Sequence, residues 1–181
     1  MVGGLMQELL NHMKGRIDML TIDLIPHFED DRGSFNVLYN SNNNEHKYVQ
    51  DNFSVSNKNV IRGLHIQTKK PQGKLVSCVL GEILVIALDL RKDSNEYGKV
   101  YKFELYDNRQ VYIPEGFAHG FLSKKDNTCV FYKCTTDYDA KSEVVINPFD
   151  ESLSIDWGIC IDDCILSEKD KVGLLLEDYL P

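Results

Sequence analysis

The feature that most constrains this chain is a succession of short strand-like runs, each cut off by turn residues, from Tyr48 almost to the end. The runs are Tyr48–Ser54, Val60–Gln67, Lys74–Leu80, Glu82–Asp89, Lys99–Leu105, Gln110–Ile113, Gly120–Ser123, Cys129–Thr135 and Val144–Ile146. Asn57-Lys58-Asn59, Pro71-Gln72-Gly73, Gly81, Asp107-Asn108 and Asp126-Asn127 separate them. Many short strands at even spacing imply an antiparallel sandwich or a closed barrel. Upstream, Met19–Ile25 alternates and reads as a strand, Pro26–Gly33 as a turn-rich loop, and Ser34–Tyr39 as a second strand. Helices are expected only at the ends. Leu5, Leu9, Leu10 and Met13 fit an amphipathic helix in an N-terminal extension over 1–18, and Ser167-Glu168-Lys169-Asp170 caps a helix over Ser167–Tyr179. With no linker or repeat, 19–181 is expected to be one domain.

Composition narrows the function classes. A net charge of −8 argues against nucleic acid, which needs a basic face, but not against one phosphorylated ligand held by a few cations. No apolar run approaches a membrane span, and the N-terminus lacks the pattern of a secretion signal. Five cysteines without a CxxC pair fit reduced thiols in a cytoplasmic protein.

Two segments carry the chemistry, Gln50–Lys74 and Tyr112–Phe121, and they are expected to face one another inside the barrel. Pro114-Glu115-Gly116-Phe117-Ala118-His119 has the P-x-G-x-x-H spacing of the second cupin motif. Where metal-binding cupins carry H-x-H and then a glutamate, this chain has His65-Ile66-Gln67 and then Lys74. An ammonium in that position opposes a divalent ion, so no metal is expected.

The set VQDN, VIRGLHIQ, PQGKLV, IPEGFAHGF, FYKCT and IDW, from Asp31-Arg32-Gly33 through to Asp170, resembles the dTDP-4-dehydrorhamnose 3,5-epimerase family over nearly the whole chain. The resemblance implies a mainly β, cupin-type jelly-roll barrel with short peripheral helices and neither cofactor nor metal. It also implies a nucleotide-linked 4-keto-6-deoxyhexose substrate in deoxysugar synthesis for cell-surface polysaccharide. The ketone acidifies carbons 3 and 5, and epimerisation needs a base, an opposed acid and a cation for the enolate oxygen. By resemblance His65 is the base, Asp170 orients it, Tyr132 returns the proton from the other face, and Lys74 holds the enolate. Arg62 is matched to the sugar and diphosphate, Gln50 and Asn52 to the nucleotide, and Tyr138 to an aromatic sugar contact. His119 is matched to the same pocket. Arg32 and Phe35 are matched to residues that reach across a homodimer to the nucleotide.

Taken singly, each of these residues has a structural explanation: a hydrogen-bonded core histidine, a packed tyrosine, a solvated lysine, a helix-start aspartate. Only their joint spacing reverses that reading. Four positions depart from the family pattern: Val85 replaces an aspartate, Val37 a glutamate, Asp137 a tyrosine and Phe53 a histidine. These leave open a 3-epimerase, a 3,4-ketoisomerase, or a non-catalytic cupin that binds a sugar nucleotide.

Overall fold

A computed structural model describes residues 20–44, 46–107 and 109–179. The expected helix over 1–18 lies outside these residues. Twelve strands are described: β1 (Thr21–Leu24), β2 (His27–Asp30), β3 (Gly33–Asn36), β4 (Gln50–Ser56), β5 (Ile61–Gln67), β6 (Lys74–Leu80), β7 (Glu82–Asp89), β8 (Val100–Tyr106), β9 (Arg109–Ile113), β10 (Phe117–Ser123), β11 (Thr128–Cys134) and β12 (Glu143–Val145). They form two five-stranded antiparallel sheets in the orders β1-β9-β6-β11-β4 and β12-β5-β10-β7-β8, plus a β2-β3 hairpin.

Strand alternation explains how the two sheets enclose a core. Along β7, Ile83, Val85 and Ala87 point between the sheets, where they pack with Tyr101, Phe103 and Leu105 of β8 and Val76, Val111 and Val130 of the opposite sheet. The alternate residues Leu84, Ile86 and Leu88 point outward into a second cluster with Leu153, Trp157 and Tyr179, which the C-terminal segment supplies. A strand buried on both faces must be apolar at nearly every position, which is why β7 reads EILVIALD without alternation. By contrast β8, polar on one face, alternates strictly.

The inner cluster fills one half of the barrel, and the other half is lined by polar side chains. On β4 the inward positions are Gln50, Asn52 and Ser54, while Asp51, Phe53 and Val55 face out and are exposed. Asn52 is registered against Tyr132 of β11, and Tyr132 against Val76 of β6. In the second sheet His65 of β5 is registered against His119 of β10. Gln50–Lys74 contributes to both sheets: its β5 part lies beside β10, whereas its β4 part and Lys74 stand on the sheet opposite β10, as expected of the two segments. The polar half of the barrel thus has His65 and His119 in one sheet and Asn52, Lys74 and Tyr132 in the other.

Three expectations of secondary structure are corrected. Pro26–Gly33 is largely a strand rather than a loop, because β2 pairs with β3 around Asp31-Arg32. All four residues of β2 are exposed, so no alternation marked them, whereas β3 overlaps the strand expected over Ser34–Tyr39. The C-terminal helix is only Glu168–Lys171 (α1). After it Leu174 bridges Ile146 in parallel, its N–H donating to the Val145 carbonyl, and a 3-10 turn over Leu176–Asp178 follows. Docking on the sheet overrides helical periodicity here. Also, β10 begins at Phe117 rather than Gly120, which puts His119 on a strand.

β5 and β10 approach unusually closely where the register shifts beside Phe121. Gly63 has φ +124°, and a Cβ there would sit 2.5 Å from Gly120 Cα and 2.7 Å from the His119 carbonyl oxygen. Both obstacles are backbone and cannot yield. Gly63→Ala is expected to cost on the order of 3 kcal/mol in urea unfolding. A loss within ~0.5 kcal/mol would mean the strands are not held this close.

Candidate active site

The polar half of the barrel holds a cavity of about 540 Å³ bordered by Arg62, His65, Lys74, His119, Tyr132 and Asp170, among others. A smaller lobe of about 220 Å³ lies beside it, with Gln50, Asn52 and Gln67 on its wall. His65, Lys74, Tyr132, Tyr138 and Glu143 border both.

His65 approaches Asp170 Oδ1 through Nε2 at 2.6 Å, and Asp170 is 3% exposed. Its second oxygen lies 3.5 Å from the Gly63 N–H, and the Asp170 N–H donates to Ser167 Oγ at the start of α1. Burial alone raises the Asp170 pKa, but the bonds from His65, Ser167 and Gly63 outweigh it and hold the carboxyl below its ordinary value. An ionised Asp170 fixes the proton of His65 on Nε2. Nδ1 is then left with a lone pair, 3.8 Å from Glu143 Oε1. Glu143 is itself held by the Lys169 ammonium at 2.5 Å and the Tyr138 hydroxyl at 3.0 Å. Burial pushes Glu143 up, but Lys169 and His65 pull it below the ordinary carboxylate range.

Lys74 reaches from β6 into the same space, its Nζ 3.5 Å from His119 Nδ1. Among the described residues no carboxylate lies within ion-pair distance of it. Val85, at the position where the family carries an aspartate, is fully buried in the inner apolar cluster. Burial lowers the Lys74 pKa, against smaller opposing effects of Cys134 and Glu143. His119 is pushed well below its ordinary value by burial and by Lys74 and His65, so it is neutral and accepts from the ammonium. Its buried Nε2 has no hydrogen-bond partner among the described residues. Across the cavity, burial raises the Tyr132 pKa, so the phenol keeps its proton at neutral pH. A proton acceptor, a proton donor on the opposing sheet and a cation lining the same cavity can together move a proton at a carbon beside a carbonyl.

Of the other residues singled out in the sequence, Arg62 donates to Ser56 Oγ and the Val55 carbonyl on β4, and Gln50 donates to Asn52. Arg32 and Phe35 are not in the cavity. Arg32 pairs with Asp30 at the hairpin tip, and Phe35, 66% exposed, lies against Phe28. Asp137 is exposed and borders neither lobe. The motifs did not single out Glu143, Lys169 or Gln72. A lone glutamate after a polar loop has no local signature, and Lys169 read as part of a helix start.

The fold and the cavity define a cupin-type jelly-roll barrel built around proton transfer on a carbonyl compound. The family model described as dTDP-4-dehydrorhamnose 3,5-epimerase matches residues 15–178. A dTDP-4-dehydrorhamnose 3,5-epimerase of Methanothermobacter thermautotrophicus is 45% identical over 152 residues, covering 80% of this chain and 82% of its own length. That of Salmonella typhimurium is 40% identical, covering 84% and 88%. A crystal structure from Legionella pneumophila, in complex with dTDP-4-keto-L-rhamnose, superposes with a TM-score of 0.86 at 37% identity over 92% of both chains. The 3'-monoepimerase ChmJ of Streptomyces bikiniensis superposes at 0.83 with 26% identity, over 90% of this chain and 86% of its own. The chain belongs to the dTDP-4-dehydrorhamnose 3,5-epimerase family. It is an isomerase, an epimerase of nucleotide-linked keto-deoxysugars.

The electrostatics set a pH dependence of stability. The unfolded chain protonates His119 near pH 6.5, whereas the folded chain resists until well below. Stability linked to this group is therefore complete above about pH 6.5 and drains as pH falls toward the folded value. Asp170, also lowered, contributes above its unfolded value near 3.9 and is lost only at lower pH. Thermal melting from pH 7.5 to 5 should show a falling midpoint, with a shallower fall in His119→Asn. Equal slopes in the two proteins would mean that His119 protonates freely in the folded state.

Proposed function

We propose that this enzyme inverts both carbon 3 and carbon 5 of a dTDP-linked 4-keto-6-deoxyhexose through enolate intermediates. The observation that carries the reading is the 2.6 Å contact of His65, on one sheet, with Asp170 of α1, in a cavity that Tyr132 and Lys74 of the opposite sheet also line. In this mechanism His65 Nδ1 takes the proton from the carbon beside the ketone. Asp170 stabilises the imidazolium that forms. Negative charge moves to the ketone oxygen, where Lys74 meets it, and its lowered pKa makes it a readier hydrogen-bond donor to that oxygen. Tyr132 then delivers a proton to the opposite face, which inverts the carbon.

Arg62 suits the diphosphate through its planar fork, and Gln50, Asn52 and Tyr138 line the way to the nucleotide. The product fits deoxysugar supply for surface polysaccharide. The Legionella relative, with dTDP-4-keto-L-rhamnose bound, supports the substrate class. Five unbonded cysteines fit a cytoplasmic location, and among the described residues no helix is long and apolar enough to cross a membrane.

The reading includes a homodimer. The outer face of β4, β11 and β6 exposes Phe53, Val55 and Leu80, registered around Phe131 and Cys129, an apolar patch that a second copy would cover. A dimer would also give the exposed β2–β3 hairpin, with Arg32 and Phe35, a neighbouring cavity to reach.

Incubation with dTDP-4-keto-6-deoxyglucose in D2O, followed by NMR, tests the chemistry. Deuterium is expected at both carbons, with His65→Ala and Tyr132→Phe reducing turnover on the order of 10³-fold. Label at carbon 3 alone would make the enzyme a monoepimerase, and none at all would leave a binding protein. Sedimentation should give twice the 20.7 kDa chain mass, and Phe53→Glu with Val55→Glu should halve it. A native monomer would refute the assembly.

A further inference from the structure

The segment joining β11 to β12 has no regular secondary structure over Thr136–Asp139, yet each of these four consecutive residues gives one backbone group to a glutamine side chain. The Thr136 carbonyl accepts from Gln72 Nε2 at 2.6 Å and the Asp137 carbonyl from Gln67 Nε2 at 3.3 Å. The Tyr138 N–H donates to Gln50 Oε1 at 2.8 Å, and the Asp139 N–H to Gln67 Oε1 at 2.7 Å. Gln67, 6% exposed, also donates to the Lys70 carbonyl at 2.8 Å, so both its amide hydrogens and its oxygen are engaged. Only a primary amide meets that pattern of two donors and one acceptor. A carboxylate would face two carbonyl oxygens, and an apolar side chain would strand three backbone groups.

The loop so held carries Tyr138, which borders both the 540 Å³ and the 220 Å³ lobe. Tyr138 is 53% exposed, so packing alone does not fix its ring. Its position is set by the backbone below it and by its hydroxyl on Glu143, the carboxylate facing His65. We propose that Gln67 and Gln72 are positioning residues that lock Tyr138 in place as the partition between the two lobes. They thereby set how the nucleotide sugar lies between His65 and Tyr132. This deepens the function proposed above and rests on it.

The test uses the near-isosteric Gln67→Met and Gln72→Met, Tyr138→Ala, and each glutamine variant combined with Tyr138→Ala. Backbone amide exchange at Tyr138 and Asp139 reads the cradle directly. In Gln67→Met the Asp139 amide should exchange about tenfold faster. With dTDP-4-keto-6-deoxyglucose, each glutamine variant should raise KM about tenfold while kcat changes less than about threefold. In the Tyr138→Ala background the same changes should add nothing, because the residue they position is gone. Unchanged Asp139 exchange, or a glutamine defect that multiplies the Tyr138→Ala defect, would overturn the proposal. Should Gln67→Met fail to fold, Gln72→Met, at a half-buried position, carries the kinetic comparison alone. A native protein that labels no carbon would remove the proposed function only, and the Asp139 amide would still decide the cradle.

Discussion

The second sheet is covered on both sides, and that double burial organises the molecule. Its inner face packs against the opposite sheet, while its outer face needs a cover that the sheet cannot supply. The chain from Ile146 to Tyr179 provides it, with Leu153, Trp157 and Tyr179 closing over Leu84, Ile86 and Leu88. Burying a side chain of this size is worth roughly 2 kcal/mol, so the wrap is anchored by several such contacts. Its path over β5 brings Ser167 and Asp170 beside Gly63 and His65. The contact that orients the imidazole is thus made by the closing of the outer core.

Within the cavity, burial does most of the electrostatic work. It lowers the basicity of Lys74 and His119 and raises the pKa of Tyr132, moving all three toward their uncharged forms. Asp170 and Glu143 stay ionised because each is held by bonds that outweigh desolvation. The result is a site in which the anions flank the imidazole, while among the described residues no carboxylate lies within ion-pair distance of the Lys74 ammonium. In a medium of low polarity such a cation attracts negative charge far more strongly than it does in water.

Much of this was legible in the chain, for identifiable reasons. Lys74–Leu80 and Glu82–Asp89 match their strands to the residue, because Gly81 permits the backbone reversal and the apolar run is continuous. His65, Lys74, Tyr132 and Asp170 could be singled out because they lie in motifs of fixed spacing, and they share one cavity. Of the hairpin only β3, inside the strand expected over Ser34–Tyr39, was legible, since the four exposed residues of β2 offer no alternation. Nor was the end of the last helix, where Leu174 leaves helical geometry to bridge Ile146. Glu143 escaped for a different reason. Its importance depends on what lies beside it in space, and nothing in its local sequence announces it.

The inner apolar cluster occupies only one half of the barrel, and this has a consequence for how such an enzyme changes over time. Rigidity resides in Ile83, Val85, Phe103 and their neighbours, whereas the inward residues Gln50, Asn52 and Ser54 of β4 lie outside that cluster. Substitutions at such positions leave the packed half of the barrel untouched. Relatives named for inversion at two centres and one named for a single centre then remain superposable, because selection for a new sugar and selection for a stable chain act on different amino acids.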